Sequence, residues 1–222
     1  MKRWALLVMF LYGLSVVVLT APLSLAAFAD SEFGLKEAFV FYQGWQYWLL
    51  VLGVMLLQAG LLFVPVKVAS RRPVTKRSLI WPVATGGFLA GCLLTGLAFA
   101  VYETVAKEDT HEPILFVLMG AGVLFWILWA VLFAVMAGKQ SAENLAARQV
   151  SWLMKGSILE LLVAVPTHIL ARWRGYCCAG MLTFLGLSTG LAVMLMAFGP
   201  AVFWLFVARW KKLHPKEAAK ET

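Results

Sequence analysis

The sequence predicts an all-α fold, a polytopic integral membrane helix bundle with six transmembrane helices and no soluble domain. Three observations predict it. Of 222 residues 62% are hydrophobic and only 14% charged, with a mean hydropathy of +0.85, which leaves too little charge to cover a soluble domain of this length. The apolar residues gather in runs of about the twenty residues needed to cross a hydrocarbon core. The basic residues sit in short segments between those runs, the arrangement by which positive charge orients a membrane protein. The net charge of +8 is therefore a topology signal, and nucleic acid is excluded as a partner. The lipid bilayer is the expected partner, together with other membrane subunits or further copies of the chain.

The first run, about 4–28, follows Lys2 and Arg3 and closes on Ala27 and Ala29, an A-x-A pattern of the kind signal peptidase cuts. Its length exceeds a signal core, so it is read as the first spanning helix, with a cleaved signal over residues 1–29 as the alternative. The second run, about 40–66, opens with Tyr42, Trp45, Tyr47 and Trp48, rings suited to the headgroup level. A basic segment from Lys67 to Arg77 leads to the third run, about 79–102, with Pro82 in its first turn. An acidic loop, ETVAKEDTHEP, precedes the fourth run, about 114–137. Residues 138–157 are polar and Ala-rich and read as a helix lying at the interface. The fifth run, 156–172, is short and carries Glu160; the sixth, about 179–208, contains Gly199-Pro200 and leads into a basic tail, 209–222.

Charge then sets the orientation. With the amino terminus inside and six crossings, fifteen of the nineteen Lys and Arg residues fall on the inner side. A re-entrant fifth run, the alternative of five spanning helices plus one re-entrant or interfacial helix, reduces that to twelve. Because positive residues resist translocation, six crossings with both termini cytoplasmic in a bacterial-type inner membrane is the preferred topology.

The segment ELLVAVPTHILARWRGYCCAG, residues 160–180, concentrates the chemistry. On a helix turning about 100° per residue, Ser157, Glu160, Ala164, Thr167, His168, Ala171 and Arg172 share one stripe, and the aliphatic residues lie mostly elsewhere. Such a stripe faces neighbouring helices or a wet cavity. An acid near the bilayer centre costs on the order of 3 kcal/mol, so Glu160 is expected to be paired, protonated or functional. One reading has it bonded to a Ser, Thr or Trp across the bundle, locking the packing; the other has it binding a proton or ion with His168. Pro166 frees the carbonyl of Leu162, a further acceptor close in sequence. His168, one turn before Arg172, is expected to be neutral. Arg172 and Arg174 are read as anchors to lipid phosphate, with capture of an anionic ligand as the alternative.

Cys177-Cys178 can form a vicinal disulfide or offer thiolates to a soft metal, but His168 and Glu160 are too far along the chain to complete a site with them. With three cysteines, three histidines, no CxxC, no HExxH and no phosphate loop, no cofactor and no metal is expected. Gly87 and Gly91, and Gly186 and Gly190, have the four-residue spacing that lets helix backbones approach.

These features point away from an enzyme. The expected function is that of a non-enzymatic inner-membrane protein, a small accessory or packing subunit of a membrane assembly. The alternatives are a small proton-coupled transporter using Glu160 and His168, and a thiol or metal-handling protein centred on Cys177 and Cys178.

Overall fold

The apolar runs fold as helices because a chain in hydrocarbon must satisfy every backbone polar group within itself. The computed structural model describes residues 6–7, 9–18, 40–69, 79–105, 111–139, 141–174 and 180–213, and among these there is no strand. The helices are α1 (Met9–Val18), α2 (Val40–Gln43), α3 (Trp45–Ala69), α4 (Ile80–Val105), α5 (His111–Lys139), α6 (Ala142–Trp173) and α7 (Met181–Leu213). Five of them, α3 to α7, are long and apolar enough to cross a membrane. The protein is thus an all-helical, multi-pass membrane protein. Of the first expected span, 4–28, only the ten residues of α1 and two preceding ones are described, and Ala27 and Ala29 lie outside the described residues.

The chain divides into two compact units, Met1–Leu62 and Phe63–Thr222. In the first, the Tyr42 hydroxyl donates to the Val17 carbonyl at 2.7 Å. A Cβ on Gly13 would come within 2.9 Å of Met55 Sδ, so α1 packs closely on α3. The aromatic group expected at the start of the second run forms here: Tyr47 meets Tyr42 and Trp48 edge to face, and the Trp48 indole donates to the Tyr42 carbonyl.

In the second unit α4 packs against α5, α6 and α7, and α6 packs against α7. Gly87 and Gly91 face α5, where added Cβ atoms would come within 2.8 Å of the Ala130 and Trp126 backbone nitrogens. The α4–α7 approach runs instead through Gly96 and Gly186: a Cβ on Gly186 would lie 2.6 Å from the Gly96 carbonyl oxygen. The spacing signal thus found two close approaches, but its two glycine pairs do not meet one another. Most of α5 is exposed, and it touches α6 through Trp129, Phe133 and Trp152.

The largest departure from expectation is α6. Residues 138–157 form no separate interfacial helix. A single unbroken helix runs from Ala142 to Trp173, roughly 48 Å at 1.5 Å per residue. Ser141 caps it, its side chain accepting from the Asn144 amide. The helix also continues through Pro166, whose position removes one bond without ending it. The last helix likewise continues through Pro200 and on to Leu213, so the first residues of the expected tail, 209–213, remain helical.

Candidate functional site: an unpartnered acid among three helices

The polar stripe is the buried face of α6. Gln149, Ser157, Glu160, Ala164 and Ala171 are buried, while Leu159, Leu162, Val165 and Ile169 are exposed. The register extends back through Leu153, Val150 and Ala146, which are also buried. Arg172 stands exposed at the edge of the stripe and His168 is half-buried.

Glu160 is 2% exposed, and neither carboxylate oxygen has a hydrogen-bond partner. Its surroundings explain how a carboxylate fits there at all. A Cβ on Gly96 of α4 would overlap Oε1, and a Cβ on Gly190 of α7 would lie 3.0 Å from Oε2. Two glycines on two helices therefore leave a side-chain-sized space that Glu160 of a third helix fills. The expected bond to a Ser, Thr or Trp is not made. Ser157, one turn away, donates to its own helix at the Leu153 carbonyl.

Outside this acid, a groove of about 320 Å³ runs between α4, α5 and α7, with Gly96 and Thr189 among its lining residues. Thr189 directly precedes Gly190, so both helices that cradle Glu160 also line the groove.

A second buried acid provides a contrast. Glu103, near the end of α4, is 1% exposed. One carboxylate oxygen accepts from the Gly180 amide and the other from the Thr183 amide, each at 2.6 Å. These amides open α7, where a helix leaves its N–H groups without internal partners and a negative charge is favoured. In the other direction, the Arg174 guanidinium donates to the carbonyls of Glu103 and Thr104, closing the end of α4. Arg174, read from sequence as a lipid anchor, thus caps a helix. Gly180, at φ +90°, makes the turn into α7, a backbone region that a side chain disfavours.

His168 belongs to this second cluster. Its Nδ1 lies 2.9 Å from the Thr183 hydroxyl, which itself donates to the Gly180 carbonyl. Eight residues separate it from Glu160, roughly 12 Å along the axis, so the structure does not bring the two together directly. The Pro166 reading is also corrected: Leu162 and Pro166 are exposed, on the opposite side of α6 from Glu160. The freed carbonyl therefore cannot assist the acid. Thr167 instead donates to the Val163 and Ala164 carbonyls.

Sequence reasoning missed Glu103 and Gly96. Glu103 stood in an acidic stretch with no local mark of its role, and Gly96 belongs to neither of the spaced glycine pairs. Cys177 and Cys178 lie outside the described residues. Among the described residues, no group of three or more His, Cys, Asp or Glu side chains is arranged to hold a metal. Compared with family models, with curated proteins and with solved structures, the chain matches none.

Proposed function

We propose that this protein is a small proton-coupled membrane carrier in which Glu160 takes up and releases the coupling proton. One observation carries the reading: Glu160 is fully buried with both oxygens unpartnered, whereas Glu103 in the same unit has a donor for each oxygen. A packing acid behaves as Glu103 does. An acid held without donors in a low-dielectric interior must carry a proton or meet a cation. That requirement is the chemistry of a coupling site. The His168–Thr183 contact marks the end of the same polar stripe, and passage over the roughly 12 Å between His168 and Glu160 requires water. The charge distribution supports both termini lying on the cytoplasmic side of a bacterial-type inner membrane.

The test is proton flux in liposomes carrying the full chain and an internal pH-sensitive dye, driven by an imposed potassium diffusion potential. Wild-type protein is expected to acidify or alkalinise the lumen according to the sign of the potential. Glu160→Gln, which keeps the size and shape of the side chain, is expected to lower the rate at least about tenfold, the effect of removing an essential proton-transfer group. Equal rates in the two proteins overturn the reading.

The exposed outer face of α5, with Phe116, Val117, Leu124 and Leu128, supports a second reading, an accessory subunit docked through α5. Under that reading, polar substitutions on this face release a co-purifying membrane partner, and Glu160→Gln leaves the function unaltered.

A further inference from the structure

We infer that the groove over Gly96 is a binding site for a hydrophobic organic cation, the substrate class whose entry displaces the Glu160 proton. The inference rests on the carrier reading of Glu160 and adds what is carried.

Three features of the groove select a cation. First, its rings: Phe88, Phe99 and Trp126 are among its lining residues, with Phe88 and Trp126 edge to face at 5.6 Å. Aromatic faces attract a weakly hydrated positive charge. Second, its hydroxyls: Thr95 donates to the Gly91 carbonyl and Thr189 to the Leu185 carbonyl. With those hydrogens committed to their own helices, what they can offer a ligand is oxygen lone pairs. Among the described residues that line it there is no Lys, Arg or His. Third, its floor: Gly96 lines the groove, and the space where its side chain would lie is taken by Glu160 Oε1. Gly96 thus borders the groove and also the space of an unpartnered acid. A neutral ligand leaves that acid as it was. An anion would face lone pairs, ring faces and a carboxylate. A cation with an apolar body uses all three features, and a groove of about 320 Å³ has room for a small aryl or alkyl ammonium.

The charge balance is simple. The protonated Glu160 carboxyl loses its proton to water as the cation enters, leaving a carboxylate and a cation. One proton leaves for each cation bound, and the net charge of the site is unchanged. Exchange of this kind couples an outward proton to an inward cation, or the reverse, and moves no net charge; the potential-driven proton flux of the liposome test is therefore that of the carrier without its cation.

The test uses the full chain in dodecyl maltoside micelles, in weakly buffered solution on the acid side of neutrality with a pH-indicator dye. Benzyltrimethylammonium is the probe, and neopentylbenzene, its uncharged carbon isostere, the control. Wild type is expected to bind the cation saturably and release one proton per chain, while the isostere releases none. Glu160→Gln is expected to release no proton and bind at least about tenfold more weakly. Phe99→Leu, which keeps the groove apolar, should bind severalfold more weakly yet still release one proton per cation, the effect of losing one ring face. Absence of cation binding, equal binding by Glu160→Gln, or binding without proton release overturns the inference. Should Glu160-dependent proton flux in liposomes persist without cation binding, the groove assignment falls and the carrier reading stands. Loss of both removes both.

Discussion

Oε1 of Glu160 on α6 occupies the space that a side chain on Gly96 of α4 would need. The two residues are complementary in the strict sense that neither can be enlarged without moving the other. Gly190 of α7 bounds the second carboxylate oxygen, so the acid is enclosed by shape on two sides and by hydrogen bonds on none. Steric confinement without polar satisfaction makes the position of the carboxyl definite while leaving its oxygens available to a proton or cation.

Gly96→Ala is therefore expected to destabilise the folded protein by about 1–3 kcal/mol, the usual cost of overpacking. The loss should be largely repaired when Glu160→Ala is added, because the smaller side chain vacates the contested space. Thermal unfolding in micelles, read by tryptophan emission, measures all four corners of the cycle. A coupling near zero between the two sites would sink the description of their contact.

The close approach of α4 and α5 makes a similar prediction with an internal control. Gly91→Ala drives a Cβ into Trp126 backbone atoms, at 2.8 Å from its nitrogen, whereas a Cβ on Gly120 meets nothing within 4 Å. The first substitution should cost about 1–3 kcal/mol, since backbone cannot step aside as a flexible side chain can. The second should be neutral or stabilising by up to about 1 kcal/mol, the gain from replacing glycine within a helix. Equal effects of the two would refute the α4–α5 contact.

Glu103→Gln tests the cap on α7. The amide keeps one acceptor oxygen, so one of the Gly180 and Thr183 amides loses its partner and the favourable negative charge at the helix start disappears. Hydrogen exchange at the first turn of α7 should accelerate about tenfold or more, corresponding to the typical 1–2 kcal/mol of a lost cap. Exchange in the middle of α6 should be unaffected. Uniform acceleration through both helices would show that the residue supports the whole unit rather than one helix start.

How far the sequence foretold this arrangement depended on the range of the signal. The spans α3 to α7 were legible because hydropathy is local, and the buried face of α6 was legible because a helix of 3.6 residues per turn lines up Ser157, Glu160, Ala164 and Ala171. The continuity of α6 was legible too, had the same angles been followed back to Gln149 and Ala146. The polar composition of 138–157 masks a register that never breaks. Glu103 was beyond reach, since its partners lie 77 and 80 residues on and nothing near it in the chain distinguishes it from the neighbouring loop acids. The same holds for Gly96, whose significance arises only when α6 and α7 are brought against it.

The two buried acids should respond oppositely to the same change. Methionine approximates the length of glutamate without its polar atoms. At position 160 it removes two oxygens that have no donors, so Glu160→Met is expected to stabilise the protein by about 1–3 kcal/mol, the penalty of an unsatisfied buried polar group, while abolishing proton flux. At position 103 it leaves the Gly180 and Thr183 amides without acceptors in a buried setting, and the expected loss is about 2–5 kcal/mol. Unfolding midpoints of the two variants, measured side by side in the same micelles, give the sign directly. Two destabilised variants would mean that Glu160 is held by interactions like those of Glu103 and is structural. Opposite signs would mean that the fold bears Glu160 at a cost to stability, as expected of a group retained for what it binds.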